Sequence, residues 1–283
     1  MHDGDCKLVV QLFHTGRNNT PMLIGNKQPV APSAVPSPLY KSEPHVLTKE
    51  EIKGVVENFG DAALRAKKAG ADAVEISSSV GYLLTQFLSP KTNLRTDEYG
   101  GSEENRMRFP TEVIANVREK VGKDFPIIIR ISAADMLGGY DVEFMQKFIT
   151  HIESMIDAVN VTGGWHEAPV PQMTRHIPYG GYAFLTEVIK QVVSVPVIAS
   201  NRVHDPENSA NIIKEGKADI IGLGRQLITD PYYPNKVKNG QKYRKCQACN
   251  QGCIERVLRF KDVKCVFNPE AGRESIKIEK TNE

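Results

Sequence analysis

The sequence carries almost no excess charge, because 36 lysines and arginines face 34 aspartates and glutamates and leave a formal net charge of +2. This balance gives no electrostatic reason to expect nucleic acid or an anionic membrane surface as the main partner. The sequence also lacks any run approaching the ~18 apolar residues of a membrane helix. Its first ten residues, MHDGDCKLVV, lack the basic-then-apolar layout of a secretory signal. We therefore expect a cytoplasmic protein with neither nucleic acid nor a membrane among its partners.

Cysteine is scarce as well, since the 283 residues contain five, four of them between positions 246 and 265. So few cysteines in a chain of this length do not make a disulfide framework, which agrees with a reducing compartment. The content of 40% hydrophobic and 25% charged residues is that of an ordinary globular protein with a sizeable core. The length suits one large domain or two small ones.

Short apolar runs alternate with helical patterns over most of the chain. The runs are rich in valine and isoleucine and almost continuously apolar, which is typical of strands buried on both faces of a parallel sheet. The six predicted strands are Lys7–Gln11, Asp72–Ser77, Pro126–Ser132, Ala158–Thr162, Val195–Asn201 and Asp219–Gly224. Six repeats of strand and helix imply parallel strands with right-handed crossovers. A TIM barrel and an open doubly wound sheet both satisfy this pattern, but no G-x-G-x-x-G follows a predicted strand, which disfavours a dinucleotide fold.

Polar or glycine-rich residues follow every predicted strand, at the ends where parallel α/β folds carry their chemistry. Arg130 lies within an isoleucine-rich strand, where a guanidinium is costly unless it meets an anion or an electron-rich ring. A structural ion pair would meet the same need. Arg202 and the Gly224–Arg225 pair follow the fifth and sixth strands, as in the phosphate site common at the last strands of TIM barrels.

Four cysteines near the end of the chain have the spacing Cys246-x2-Cys249-x3-Cys253-x11-Cys265. Four thiolates within twenty residues can close around one metal centre. Zinc more usually shows two C-x2-C pairs, whereas unequal spacing within one run is common for a cubane iron–sulfur cluster. The pattern favours an iron–sulfur cluster, with zinc and free thiols as the alternatives.

Several segments resemble the Old Yellow Enzyme superfamily, and together they cover nearly the whole chain. They are QLFHTGR at 11–17, GYLLTQFLSPKTNLRTDEYGGSEENRMRF at 81–109, RIS at 130–132, GWHEA at 164–168, SNR at 200–202 and the cysteine run. The likeness is to the iron–sulfur flavoprotein branch, which contains 2,4-dienoyl-CoA reductase, 2-enoate reductases and bile-acid-inducible enoyl reductases. It implies that residues 1–235 form about six of the eight units of an FMN-binding TIM (β/α)8-type barrel and that residues 236–283 bind a [4Fe-4S] cluster.

The resemblance also implies which residues bind the cofactors. They are Gln11 at the pyrimidine edge of FMN, Arg130 near N1 and O2, Arg202, Gly224 and Arg225 at the phosphate, Gln251 facing the flavin, and Cys246, Cys249, Cys253 and Cys265 on the cluster. The chemistry agrees, because a carboxamide can pair with an imide edge at two points. Guanidinium groups likewise suit an anionic ring or a phosphate.

Reduction of a conjugated C=C bond needs a hydride and a proton, the latter from a group that is still protonated at neutral pH. A tyrosine with an ordinary pKa of ~10 meets this need. The resemblance implies that Tyr82 donates the proton and that His166 binds the substrate carbonyl or supports the transfer. A packing tyrosine and a surface-loop histidine are the structural alternatives.

Lys91 and Glu167 are the substrate contacts that the resemblance implies. Pro169 stands where an arginine would be expected for a CoA thioester, so the substrate is left open between a CoA ester, a free enoate and an enone. Ser77 and Val80 replace the His-x-x-His or His-x-x-Asn pair of many superfamily members, and they argue against amine oxidation.

Compared with the family, the chain starts at the third strand–helix unit and ends where FAD- and NAD(P)-binding domains would follow. We therefore expect a fragment, a split gene product or a decayed copy, whose FAD- and NAD(P)H-binding reductase domain is missing or separate.

Our hypothesis is the FMN/[4Fe-4S] portion of an NAD(P)H-dependent enzyme that reduces the C=C bond of an α,β-unsaturated acyl or enone substrate. The alternative is a non-catalytic iron–sulfur electron-transfer or scaffold subunit. The sequence is compatible with a homo-oligomer and does not distinguish NADH from NADPH.

Overall fold

A computed structural model describes residues 2–170 and 173–276, and it contains two parallel sheets. The strands are β1 (Val9–Leu12), β2 (Val30–Ala31), β3 (His45–Val46), β4 (Ala73–Ser78), β5 (Ile127–Ser132), β6 (Ala158–Thr162), β7 (Val197–Ala199) and β8 (Ile220–Ile221). Six of them form the main sheet in the order β1-β4-β5-β6-β7-β8, while β2 and β3 pair separately in the long loop after β1. The six predicted strands are thus all present, although β7 and β8 are shorter than predicted.

Helices follow each strand of the main sheet. They are α1 (Lys49–Lys68), α2 (Leu83–Leu88), α3 (Glu103–Val121), α4 (Val142–Ile152), α5 (Ala183–Lys190), α6 (Pro206–Lys214), α7 (Arg225–Thr229), α8 (Tyr233–Lys238) and α9 (Ile254–Leu258). Side chains that accept backbone N–H groups begin several of them, including the capping box of Thr48 and Glu51 at α1 and the Asp205 cap at α6. None of the helices in the described residues is both long and apolar enough to span a membrane.

The strand order decides between the two folds that the sequence left open. Each strand of the main sheet pairs in parallel with the strand that comes next in that sheet along the chain. A doubly wound sheet would reverse its order at a switch point, whereas unbroken sequential order is that of a TIM barrel. The described residues therefore form six strand–helix units of a TIM-type barrel.

The two faces of the main sheet have different chemistry. On β5, Ile127, Ile129 and Ile131 are fully buried in the hydrophobic core, whereas Arg130 between them points to the other face. Register places Ser77 of β4 and Asn160 of β6 on either side of Arg130. A polar inner face is thus set against an apolar outer face that packs on the helices.

The C-terminal segment packs on α7 at the last strand. The Gln226 side chain donates to the Arg244 carbonyl at 2.8 Å and accepts from the Cys246 amide at 2.9 Å. The predicted boundary between residues 235 and 236 falls inside α8. The last seven residues of the predicted cluster-binding segment 236–283 lie outside the described residues.

Candidate active site

A cavity of about 470 Å³ opens on the polar inner face, where the strands of the main sheet end. This volume lies in the range of small-molecule and cofactor sites, roughly 300–1,000 Å³. Seven of the residues predicted from the sequence line it together: Gln11, Tyr82, Arg130, His166, Arg202, Gly224 and Arg225. The side chains come from distant parts of the chain, and the parallel sheet brings them to one mouth.

Three arginines line this cavity, and none has a carboxylate partner within the described part of the chain. Arg130 makes no hydrogen bond or ion pair with any described residue, although it reaches the cavity from an otherwise apolar strand. Arg202 donates from Nε to the Ile177 carbonyl at 2.8 Å, and its Nη1 is buried without a hydrogen-bond partner. Arg225 donates to the Met173 carbonyl at 2.8 Å. Uncompensated cations in a concave site favour an anionic ligand.

The backbone around the arginines is strained. Asn201 and Arg202 adopt left-handed conformations, with φ of 69° and 60°, and Val80, which also lines the cavity, has φ of 54°. Left-handed conformations are unusual for residues other than glycine, and most of all for a β-branched one. They cost of order 1–3 kcal/mol each and cluster at functional sites. Beside Arg225, Gly224 faces open space, so the backbone is accessible to a ligand there.

Tyr82 and His166 lie side by side in one wall of the cavity. Their rings meet edge to face at 5.9 Å, and Phe13 packs on the other side of Tyr82 at 5.3 Å. Burial raises the pKa of Tyr82, with Tyr40 adding to the shift and Arg130 opposing it. Burial and Arg130 both lower the pKa of His166. At neutral pH the wall therefore presents a protonated phenol beside a neutral imidazole, and such a pair can donate a proton.

Glu167 does not face the cavity, although the sequence suggested it as a substrate contact. Its carboxylate forms a buried ion pair with Arg17 and accepts from Ser37 Oγ at 3.0 Å. Burial lowers the pKa of Arg17 and raises that of Glu167, so desolvation outweighs the attraction between them. The pair ties the loop after β1 to the segment that carries His166, and it engages the carboxylate that the sequence suggested as a substrate contact.

Two further predicted residues lie away from the cavity. Lys91 is exposed just beyond α2, and its side chain lines no part of the cavity. Gln251 is exposed on the C-terminal segment, because the chain turns its side chain to solvent between two cysteines. Ile254 of the same segment, rather than Gln251, lines the cavity.

The four tail cysteines line a second, smaller cavity against α7. They form no disulfide, and Thr229 Oγ1 lies 3.4 Å from Cys265 Sγ. Arg225 lines this cavity as well as the first. Across residues 2–170 and 173–276, however, no group of three or more histidines, cysteines or acids is arranged as a metal site. The four predicted cysteine ligands thus line one cavity, but their positions do not form a metal-coordination geometry.

Sequence reasoning missed three polar residues of the inner face. Glu75, Asn160 and Ser200 lie in or directly after predicted strands, and all three are at most 8% exposed. The signal that singled out Arg130, a polar side chain in an apolar strand, applies equally to Glu75 and Asn160. It would have identified both.

Comparison with known proteins gives a consistent picture. Residues 1–244 match the model of the NADH:flavin oxidoreductase / NADH oxidase family. A metal reductase of Desulforamulus reducens is 50% identical over 273 residues, which cover 95% of this chain and 41% of that protein. A cinnamate reductase of Clostridium sporogenes is 39% identical over 305 residues, covering 97% of this chain and 44% of that protein.

Among solved structures, a complex of 2-naphthoyl-CoA reductase with 2-naphthoyl-CoA superposes with a TM-score of 0.90 at 34% identity. The match covers 94% of this chain and 43% of that one. The chain therefore spans about two-fifths of the length of these relatives. It belongs to the NADH:flavin oxidoreductase / NADH oxidase family, within the iron–sulfur flavoprotein branch of the Old Yellow Enzyme superfamily.

Proposed function

We propose that the chain binds FMN in the 470 Å³ cavity and forms the part of an oxidoreductase that reduces the C=C bond of an α,β-unsaturated acyl or enone substrate. The observation that carries the proposal is the meeting at one mouth of a protonated tyrosine and three arginines that have no carboxylate partner among the described residues. The names of the cinnamate and 2-naphthoyl-CoA reductases support this class of substrate.

The residues present fit FMN. The buried, unpartnered Nη1 of Arg202 is suited to a phosphate, as is Arg225 beside the open backbone of Gly224. Arg130 would stabilise negative charge on the reduced ring, and Gln11 would bind the imide edge. Bound FMN would supply the hydride. In the same site Tyr82 holds the proton that the product needs, while the neutral His166 can hydrogen-bond the substrate carbonyl.

For the second cavity, we propose that Cys246, Cys249, Cys253 and Cys265 hold an iron–sulfur cluster. The spacing within one run supports a cluster over zinc, and the shared cavity brings the four thiols together. Electrons would come from an FAD- and NAD(P)H-binding partner, as the resemblance to the iron–sulfur flavoprotein branch implies. Ile254, next to Cys253, lines the FMN cavity and makes the two sites neighbours.

The proposal is tested by titrating the purified chain with FMN and with riboflavin, which lacks the phosphate, and by following flavin fluorescence. FMN should bind at least about tenfold more tightly, because an ionic hydrogen bond contributes about 1.5–3 kcal/mol. Arg202→Gln should lower this preference by about tenfold or more, because Arg225 remains, whereas Arg108→Gln on the exposed surface should keep it. After chemical reduction under anaerobic conditions, an enone should reoxidise the bound flavin. A chain that binds iron but no flavin would contradict the proposal and support the non-catalytic subunit.

A further inference from the structure

A carboxylate lies buried beneath the FMN cavity with only amide groups as its hydrogen-bond donors in the described chain. Gln11 Nε2 donates to one oxygen of Glu75 at 2.5 Å, and Asn160 Nδ2 donates to the other at 2.7 Å. Glu75 is 8% exposed, and no lysine or arginine of the described residues pairs with it. A buried carboxylate without a cation is unusual enough to need an explanation.

The carboxylate fixes which way both amides point. A carboxylate only accepts hydrogen bonds, so each amide must turn its NH₂ group towards Glu75. The carbonyl of Asn160 then faces the other way and accepts from Ser200 Oγ at 2.6 Å. Gln11, which lines the cavity, keeps its carbonyl oxygen and its second N–H for whatever the cavity holds.

The network also shows how the sheet brings these groups together. Gln11 and Glu75 are register partners on the adjacent strands β1 and β4. Asn160 is on β6, separated from β4 by β5, and it still reaches the Glu75 carboxylate. The inner face must therefore curve so that side chains two strands apart converge. One acceptor thus holds two amides of a curved surface in a single orientation.

We propose that Glu75 is a positioning residue that selects the imide edge of a flavin by fixing the amide of Gln11. An imide presents a ring N–H donor beside a carbonyl acceptor, and the fixed amide presents the matching acceptor and donor. This inference rests on the proposed binding of FMN. Glu75 itself touches neither the ring nor the substrate.

The test compares FMN with FMN methylated at the imide nitrogen, which has lost the donor that Gln11 would read. The wild-type chain should prefer FMN by about tenfold or more, as expected for one buried hydrogen bond and the group left unpaired. Glu75→Gln keeps the shape of the side chain but offers an NH₂ group in place of one acceptor, so either Gln11 or Asn160 must flip and the Gln11 amide is no longer held in one orientation. Its preference should fall to less than about threefold. Glu112→Gln, at a carboxylate that accepts from Tyr99 Oη outside the cavity, should behave as the wild type.

A second variant tests whether Glu75 acts by orienting the Gln11 amide or only by joining β1 to β4. Exchanging the pair, Gln11→Glu with Glu75→Gln, restores one donor and one acceptor between β1 and β4 but presents only acceptors to the imide. It should recover the thermal stability of the wild type and still fail to prefer FMN, because the tie between the strands is restored while residue 11 no longer offers the imide a donor. Full preference for FMN in Glu75→Gln, or in the exchanged pair, would overturn the proposal. A wild-type chain that binds no FMN would instead overturn the proposed function.

Discussion

At the scale of the residue, burial decides which side chains can take part in proton transfer. Tyr82 and His166 share one wall of the cavity and feel the same neighbouring cation, Arg130. Because burial moves their pKa values in opposite directions, both groups are uncharged at neutral pH. Only Tyr82 is then an acid whose conjugate base Arg130 can stabilise.

Replacing Tyr82 with phenylalanine should remove the proton donor and leave the ring contact with Phe13 in place. The flavin should still be reduced, while its reoxidation by an enone should slow by about 10²- to 10⁴-fold, the usual contribution of a general acid. Stopped-flow absorbance measures both steps. Tyr232→Phe, at an exposed tyrosine, is the control. Unchanged reoxidation in Tyr82→Phe would remove Tyr82 from this role.

The same pKa shifts predict a flat pH profile. His166 becomes cationic only below a pKa that is lower than 6.5, and Tyr82 loses its proton only above a pKa that is higher than 10.0. The rate of enone-dependent reoxidation should therefore stay constant between about pH 7 and 9. A rate that falls by half within that window would mean that another group supplies the proton.

At this scale the sequence reveals the side chains whose polarity contrasts most with that of their neighbours. Arg130 stands out because a guanidinium within an isoleucine run demands a partner. The motif around His166 suggested Glu167 as a substrate contact, but it does not reveal the ion pair with Arg17, which lies 150 positions earlier in the chain. The burial of that ion pair depends on how the loop after β1 folds, and no local pattern encodes this.

At the scale of the element, the connection between β4 and α2 carries the most strain. Val80 and Gly81 are both left-handed, with φ of 54° and 91°, and Tyr82 follows directly as the N-cap of α2. A β-carbon on Gly81 would lie 3.1 Å from the Trp165 ring, beside His166. This turn therefore sets the positions of both proposed catalytic residues.

Gly81→Ala should lower the stability and displace Tyr82. Gly70 offers a matched control, since its φ of 90° imposes the same backbone strain with no heavy atom within 4 Å of the added β-carbon. Gly70→Ala should cost about 1 kcal/mol and leave reoxidation by an enone unchanged. Gly81→Ala should cost about 1–3 kcal/mol more in urea unfolding, because the ring must move. Equal losses in the two variants would show that the contact with Trp165 has no effect.

The sequence predicted all six strands but overestimated the lengths of the last two. Val195–Asn201 was expected to be extended throughout, and the strand ends at Ala199 because Asn201 and Arg202 turn left-handed towards the cavity. Apolar periodicity reports which residues can be buried in a sheet. It does not report where a functional loop takes the backbone away.

At the scale of the whole molecule, the cysteine segment meets the barrel along α7 and at the start of α6, where Lys245 pairs with Asp205. The segment packs on α7, and its thiols surround a cavity that α7 partly lines. The parallel topology could be read from the sequence, because six similar repeats constrain it strongly. The packing of the tail could not be predicted, since it depends on single contacts such as those of Gln226.

Purification without oxygen should yield about four iron atoms and four acid-labile sulfides per chain, the content of a [4Fe-4S] cluster. Cys253→Ser should lose most of both, because one of the four thiolates is gone. Cys6→Ser provides the control, since Cys6 is an exposed thiol outside the tail. Stoichiometric zinc without sulfide would contradict the cluster.

Arg225 is shared by both cavities and also donates a hydrogen bond to Asn250, which lies between two of the cysteines. In the proposed function this one guanidinium would lie against both cofactors, and any coupling of their binding through it would be reciprocal. Assembly of the iron–sulfur cluster should then change how tightly the chain retains FMN, so the supply of inorganic iron and sulfide would alter the flavin content. Cells starved of iron would be expected to contain this protein with an altered colour as well as an altered metal content.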